Sequence, residues 1–233
     1  MAFSSLSDPI ANRLAHQLST VSKRWNLQPV DIVDGTILWL GWTGLTWLAF
    51  LLSLLFVEIG EAGEVWWLEA LAGGCLVGVC QWLVLRPYLR GSYRWIVATG
   101  VSWSVLGLLH LSTTGWVAPG TFNLLLRGIF GVLYGSYVGL GLGIGQWWVM
   151  RNQVTQAWRW IPLSAGIWAM SIAIAWIAGG LLRLVSGLFM GEVVGLVLGW
   201  GAIAALSGIG IVGLLYDQPS TLPALPPAEH WQH

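Results

Sequence analysis

Charge is the scarcest property of this chain. Only 9% of its 233 residues are charged, against roughly 25% in a soluble domain. That is too little to cover a water-facing surface. The ten basic and ten acidic side chains cancel, so no basic face exists to attract nucleic acid, and nucleic acid is excluded as a partner. Cysteine is nearly absent too. Cys75 and Cys80 stand five residues apart on one apolar stretch, roughly 140° apart around a helix axis. They can neither bridge nor share a metal, and both read as small core residues. Catalytic signatures are missing: there is no His-Glu-x-x-His, paired-Cys motif, P-loop or Ser-centred elbow. The glycine-rich stretch from Gly139 to Gly145 falls inside an apolar run with no strand before it, so it is not a nucleotide loop. These absences predict a protein that is not an enzyme. No carboxylate lies in mid-span, which argues against a proton-driven carrier. Residues 1–30 lack the apolar core of a cleavable signal.

What the chain has instead is apolar length. Hydrophobic residues make up 56% of it, in runs that predict membrane spans near 35–57, 65–86, 95–113, 124–150, 160–182 and 191–216. Each has about 20 residues or more, enough for a hydrocarbon core about 30 Å thick. Backbone groups in lipid must be satisfied within the segment, so each span is a helix. The fold class is therefore all-α: a polytopic bundle of six transmembrane helices.

The spans repeat. Gly74-x-x-x-Gly78-x-x-Gln81-Trp82-x-Val84-x-Arg86 recurs 65 residues on as Gly139-x-x-x-Gly143-x-x-Gln146-Trp147-x-Val149-x-Arg151. The register continues through Arg94-Trp95-Ile96 and Arg159-Trp160-Ile161 to Trp103 and Trp168. A third copy is worn: Ala202, Ile203 and Ser207 stand where Gln, Trp and Arg are expected. The odd spans share Trp39, Trp95 and Trp160, each followed eight residues later by Trp47, Trp103 and Trp168. The even spans carry ladders of small residues: Ala70, Gly74 and Gly78; Gly131, Gly135, Gly139 and Gly143; Gly187, Gly191, Gly195 and Gly199. Ladders of this kind let membrane helices approach closely. The period equals two crossings, which predicts three parallel helical hairpins at about 35–86, 95–151 and 160–216, and not inverted repeats.

The motif resembles one found in uncharacterised multi-pass membrane proteins of cyanobacterial type. The resemblance covers residues 70–103 and 135–168. It implies a small integral membrane protein, associates it with a thylakoid or photosynthetic setting, and carries no catalytic residue across.

Orientation follows from the basic side chains. Arg13, Lys23, Arg24, Arg86, Arg90, Arg94, Arg151 and Arg159 fall on one side, Arg127 and Arg183 on the other. The positive-inside rule then places both termini in the cytoplasm of a bacterial inner or thylakoid membrane. Glu58, Glu61, Glu64 and Glu69 gather in the outer first loop. Residues 1–34 form a cytoplasmic tail in which residues 8–25 read as an amphipathic helix, lying on the membrane or packed on the bundle. Residues 35–216 are the membrane domain. Residues 217–233, with four prolines, read as disordered.

Two readings of the motif stand side by side. As structure, Trp anchors at the interface, Arg reaches phosphates and Gln bonds a neighbouring helix. As function, Gln81, Trp82, Arg86, Arg94 and Trp95 line one inner-leaflet pocket for a headgroup or other amphipathic ligand. Gln146, Trp147, Arg151, Arg159 and Trp160 line a second. No cofactor or metal is predicted. A chlorin or quinone against a glycine face is an alternative, with Gln81, Gln146 and His110 as conceivable ligands. The expected partners are membrane lipids and other membrane subunits. The expected function is a non-enzymatic scaffold, assembly factor or accessory subunit, with a lipid, quinone or pigment binder next and a transporter or channel third.

Overall fold

The computed structural model describes residues 32–55, 57, 67–111 and 115–216. The predicted amphipathic helix at 8–25, the outer glutamates at 58, 61 and 64, and the proline-rich tail lie outside them. Six α-helices make up the described residues: α1 (Ile32–Ser53), α2 (Trp67–Leu85), α3 (Arg94–Leu108), α4 (Leu124–Met150), α5 (Trp160–Ser186) and α6 (Met190–Tyr216). A 3-10 turn, Ala157–Arg159, leads into α5. No strand occurs among the described residues.

Five of the helices, all but α3, are long and apolar enough to cross a membrane. Here the structure corrects the third predicted span. α3 has 15 residues, about 22 Å of helix. It stops because His110 turns left-handed (φ 56°) and the chain folds back. Residues 115–118 then re-enter the bundle, with Trp116 and Ala118 buried. Apolar composition continues past Leu108 through Leu109 and Leu111, but the chain has left the helix there. The other ends have local causes. Asn123 caps α4 by accepting from the N–H groups of Leu125 and Leu126. Gly187, expected as a rung of the sixth span's ladder, instead ends α5 in the left-handed conformation (φ 71°).

The helices pack in chain order, and α6 closes on α1. The outside is apolar: Ile37, Leu125, Ile129, Val132, Ile174 and Leu198 are all exposed. Glycines bring the backbones together. A Cβ on Gly135 or Gly139 would lie 2.6 or 2.5 Å from the carbonyl oxygens of Trp168 and Ser164 on α5, and one on Gly78 would lie 2.9 Å from Ile96 Cα on α3. Thus α2 packs its small face on α3, and α4 packs its own on α5. The ladder of α6 turns the other way. A Cβ on Gly191 would meet Arg183, and one on Gly195 would meet Ala175 and Gly179, all on α5. α5 is therefore gripped on two sides, and the third ladder is not a worn copy of the first two in its choice of neighbour.

Candidate functional site

Along the bundle interior, indole N–H groups must find acceptors or remain unsatisfied in an apolar medium. Near the arginine-rich end, Trp95 Nε1 donates to Gln81 Oε1 at 2.8 Å, and Gln81 Nε2 faces Thr46 Oγ1 at 3.4 Å. One repeat later, Trp160 Nε1 donates to Gln146 Oε1 at 2.8 Å, and Gln146 Nε2 donates to Thr99 Oγ1 at 3.2 Å. Each glutamine thus spans two helices, accepting from the helix that follows and reaching the one before. At the closure, Trp42 Nε1 donates to Ser207 Oγ at 2.9 Å, and Ser207 Oγ turns to Ala204 O at 3.3 Å. Trp42, Trp95 and Trp160 are 0–2% exposed, with successive ring centroids 5.9 and 6.5 Å apart.

This arrangement corrects the register of the first copy. Trp42, Thr46 and Phe50 stand where Trp95, Thr99 and Trp103 stand in the second, each three residues after the Trp39, Thr43 and Trp47 expected there. Trp39 donates to Ala205 O instead, and Trp47 to Val197 O. The third link is also short. At the closure the acceptor is a hydroxyl and not a carboxamide, and a cavity of about 20 Å³ opens between Ser207, Ser164, Gln81 and Gln146. That is room for about one water molecule.

Deeper in the bundle, aromatic rings fill the axis. Trp103 lies 4.6 Å from Trp116, 5.4 Å from Trp168 and 6.2 Å from Trp200, and Phe50 stacks on Trp200 at 4.7 Å. At the far end is a buried ion pair. Arg127 and Glu192 are 0% and 1% exposed and meet through two contacts of 2.7 Å. Arg127 also donates to the carbonyls of Thr121, Trp176 and Pro119 at 2.6, 3.0 and 3.0 Å. All five guanidinium donors are thereby used, which makes this a closed structural unit. Gly179 and Gly180 provide its seat, since a Cβ on either would come within 2.9 Å of Glu192 or Arg127. Sequence reasoning left Arg127 and Glu192 apart. The available signals were their 65-residue separation, which is the repeat period, and the Gly179-Gly180 pair.

The two sequence-predicted pockets do not assemble as expected. Gln81 and Trp95, like Gln146 and Trp160, are joined inside the core. Arg86, Arg94, Arg151 and Arg159 are exposed outside it, and Trp82 and Trp147 are half-buried between. A carboxamide that accepts an indole N–H while reaching a threonine cannot also face the interface. Arg151 lies 5.3 Å from the Trp148 ring, and Arg94 lies 6.0 Å from the Tyr93 ring. The glycine faces proposed for a planar ring are occupied by neighbouring helices. His110 stands past the end of α3 opposite Trp95.

What does open to water near the first motif is a cavity of about 430 Å³ in the α2–α3 loop, lined by Trp82, Arg86, Arg90, Ser92, Tyr93 and Gln153 among others. Gln153, from the α4–α5 loop, clamps the Arg90 backbone. Its Oε1 accepts the Arg90 N–H at 2.8 Å, and its Nε2 donates to the Arg90 carbonyl at 2.9 Å. At the cavity wall, burial and then the Asp34 carboxylate push the Tyr88 hydroxyl up. No group of three or more His, Cys, Asp or Glu side chains that could hold a metal occurs among the described residues.

No protein-family model, curated protein or solved structure matches the chain.

Proposed function

We propose that the chain is an integral membrane protein of three parallel helical hairpins, acting without catalysis as a scaffold, assembly factor or accessory subunit of a larger membrane complex. The observation that carries this reading is the filled interior. Five aromatic rings pack the axis, an ion pair seals one end, and the cavity between the rings and the glutamine bridges has about 20 Å³. A carrier or channel needs a polar path that opens, and the rings are held by packing while the ion pair is held by hydrogen bonds. Activity then resides on the outer faces and loops.

The hairpin repeat is supported by the two Trp–Gln–Thr bridges one period apart. It is supported again by Gly91 and Gln156, which occupy matching positions and are both left-handed (φ 62° and 57°). The orientation with both termini in the cytoplasm is supported by charge. Of the two arginines assigned outside, Arg127 is neutralised by Glu192, and Arg183 lies 3.8 Å from the same carboxylate. The test is native mass spectrometry after gentle release from the membrane. A heavy assembly with defined subunits is expected. A lone chain, or a small homo-oligomer, counts against the accessory role. A second reading, a lipid binder at the inner leaflet, is favoured by the α2–α3 loop cavity.

A further inference from the structure

We infer that the α2–α3 loop is a built site for the phosphate of an anionic amphipathic molecule, one whose headgroup carries no compensating cation, with Arg86 and Arg90 as its anion-binding residues. The inference rests on the membrane reading above and is independent of the accessory-subunit reading.

Four observations converge. The first is charge. Arg86 and Arg90 both line one cavity, and no carboxylate is among its described lining residues. Paired guanidinium groups match phosphate oxygens in geometry as well as charge. The second is size. A cavity of about 430 Å³ exceeds a bare phosphate and lies within the range of small-ligand sites, leaving space for a glycerol-sized group. The third is preorganisation. The loop is pinned by buried Leu89 and Ser92, by the left-handed turn at Gly91 and by the Gln153 clamp on Arg90, so binding orders little chain. The fourth is position. The loop leaves α2 directly at Leu85, where a membrane helix meets the headgroup layer, and half-buried Trp82 and exposed Tyr93 beside it are interfacial side chains.

The sibling loop at 151–159 supplies an internal comparison. Its backbone repeats the left-handed turn at Gln156 and the buried anchors at Val154 and Ala157. Yet Thr155 replaces Arg90, and Arg151 is drawn onto the Trp148 ring. The shared backbone carries the arginine pair at the positions of Arg86 and Arg90 in only one of these two loops.

The experiment uses the full chain, stripped of lipid in detergent and titrated with short-chain phosphatidylglycerol, short-chain phosphatidylcholine or inorganic phosphate. Bound adducts are counted by native mass spectrometry. The wild type is expected to hold one phosphatidylglycerol at about tenfold lower concentration than phosphatidylcholine. Arg86→Gln/Arg90→Gln is expected to lose that preference, and Arg151→Gln/Arg159→Gln to keep it. Arg86→Lys/Arg90→Lys, which preserves charge, is expected to retain part of it and so guards against loss through misfolding. If inorganic phosphate displaces the lipid at comparable concentration, the amphipathic carrier is overturned and a soluble phosphate compound is the ligand. If it does not, the lipid is. No headgroup preference in the wild type, or an unchanged preference in Arg86→Gln/Arg90→Gln, overturns the site. Resistance of the same protein to alkaline extraction from membranes is measured in parallel. Loss of preference in an inserted protein then counts against the site, whereas failure to insert counts against the membrane reading.

Discussion

Gln81 and Gln146 each use both ends of a carboxamide, and that double use sets the cost of losing one. Replacing Gln81 with Leu removes the acceptor of Trp95 Nε1 and leaves an indole N–H in apolar surroundings. The expected loss is about 1 kcal/mol, since interhelical hydrogen bonds in membranes are individually modest. Thermal unfolding in detergent measures it, and an unchanged midpoint would mean that the indole finds another partner. Gln156 gives the opposite sign. It holds a left-handed φ of 57° that a side chain adopts at a penalty. Gln156→Gly is therefore expected to stabilise by about 0.5–1 kcal/mol, read in the same assay. At this scale much of the site was legible. The 65-residue spacing singled out both glutamines and Trp95 and Trp160. It did not reveal that these pairs bond each other in the core and turn away from the arginines. A linear motif gives spacing along one helix, whereas the bond runs between helices.

The elements meet through glycine. Where a Cβ would strike backbone, substitution must push helices apart; where nothing lies within 4 Å, it is free. Gly139→Ala is expected to destabilise by about 1–3 kcal/mol through overpacking, because its Cβ would lie 2.5 Å from Ser164 O. Gly44→Ala and Gly166→Ala meet nothing within 4 Å and are expected to be neutral or slightly stabilising. Equal effects at all three positions would mean that α4 and α5 are not in this contact. The ladders were visible from their four-residue steps, and small-residue spacing predicts close approach without naming the partner. That is why α6 could turn its glycines to α5 while α2 and α4 turned theirs to the helix that follows. The shortness of α3 was hidden for a related reason. Hydropathy carries the third span to residue 113 because Leu109 and Leu111, beside the left-handed His110, are as apolar as the helix before them.

The described helices form a closed ring about an aromatic axis. Liposomes containing the protein are expected to show no flux of small ions or solutes above the lipid background, and sustained flux would revive a transport reading. The Arg127–Glu192 pair ties α4 to α6 and to the loop before α4. Glu192→Gln leaves a fully buried guanidinium without its counter-charge and is expected to cost about 3–5 kcal/mol. Arg127→Met with Glu192→Met is expected to recover most of that, which thermal unfolding of both variants would check. Composition and periodicity were enough to establish an all-helical chain suited to a membrane, its doubled motif and the small faces of its helices. Each of these depends on local spacing or on average hydrophobicity. Only the folded bundle decided that Trp42 and not Trp39 completes the tryptophan ring, that Glu192 meets Arg127, and that two arginines and a glutamine from separate loops enclose one cavity. Those choices depend on which helix faces lie together when the ring closes, and with so few charged side chains in the spans little in the linear pattern distinguishes one such pairing from another.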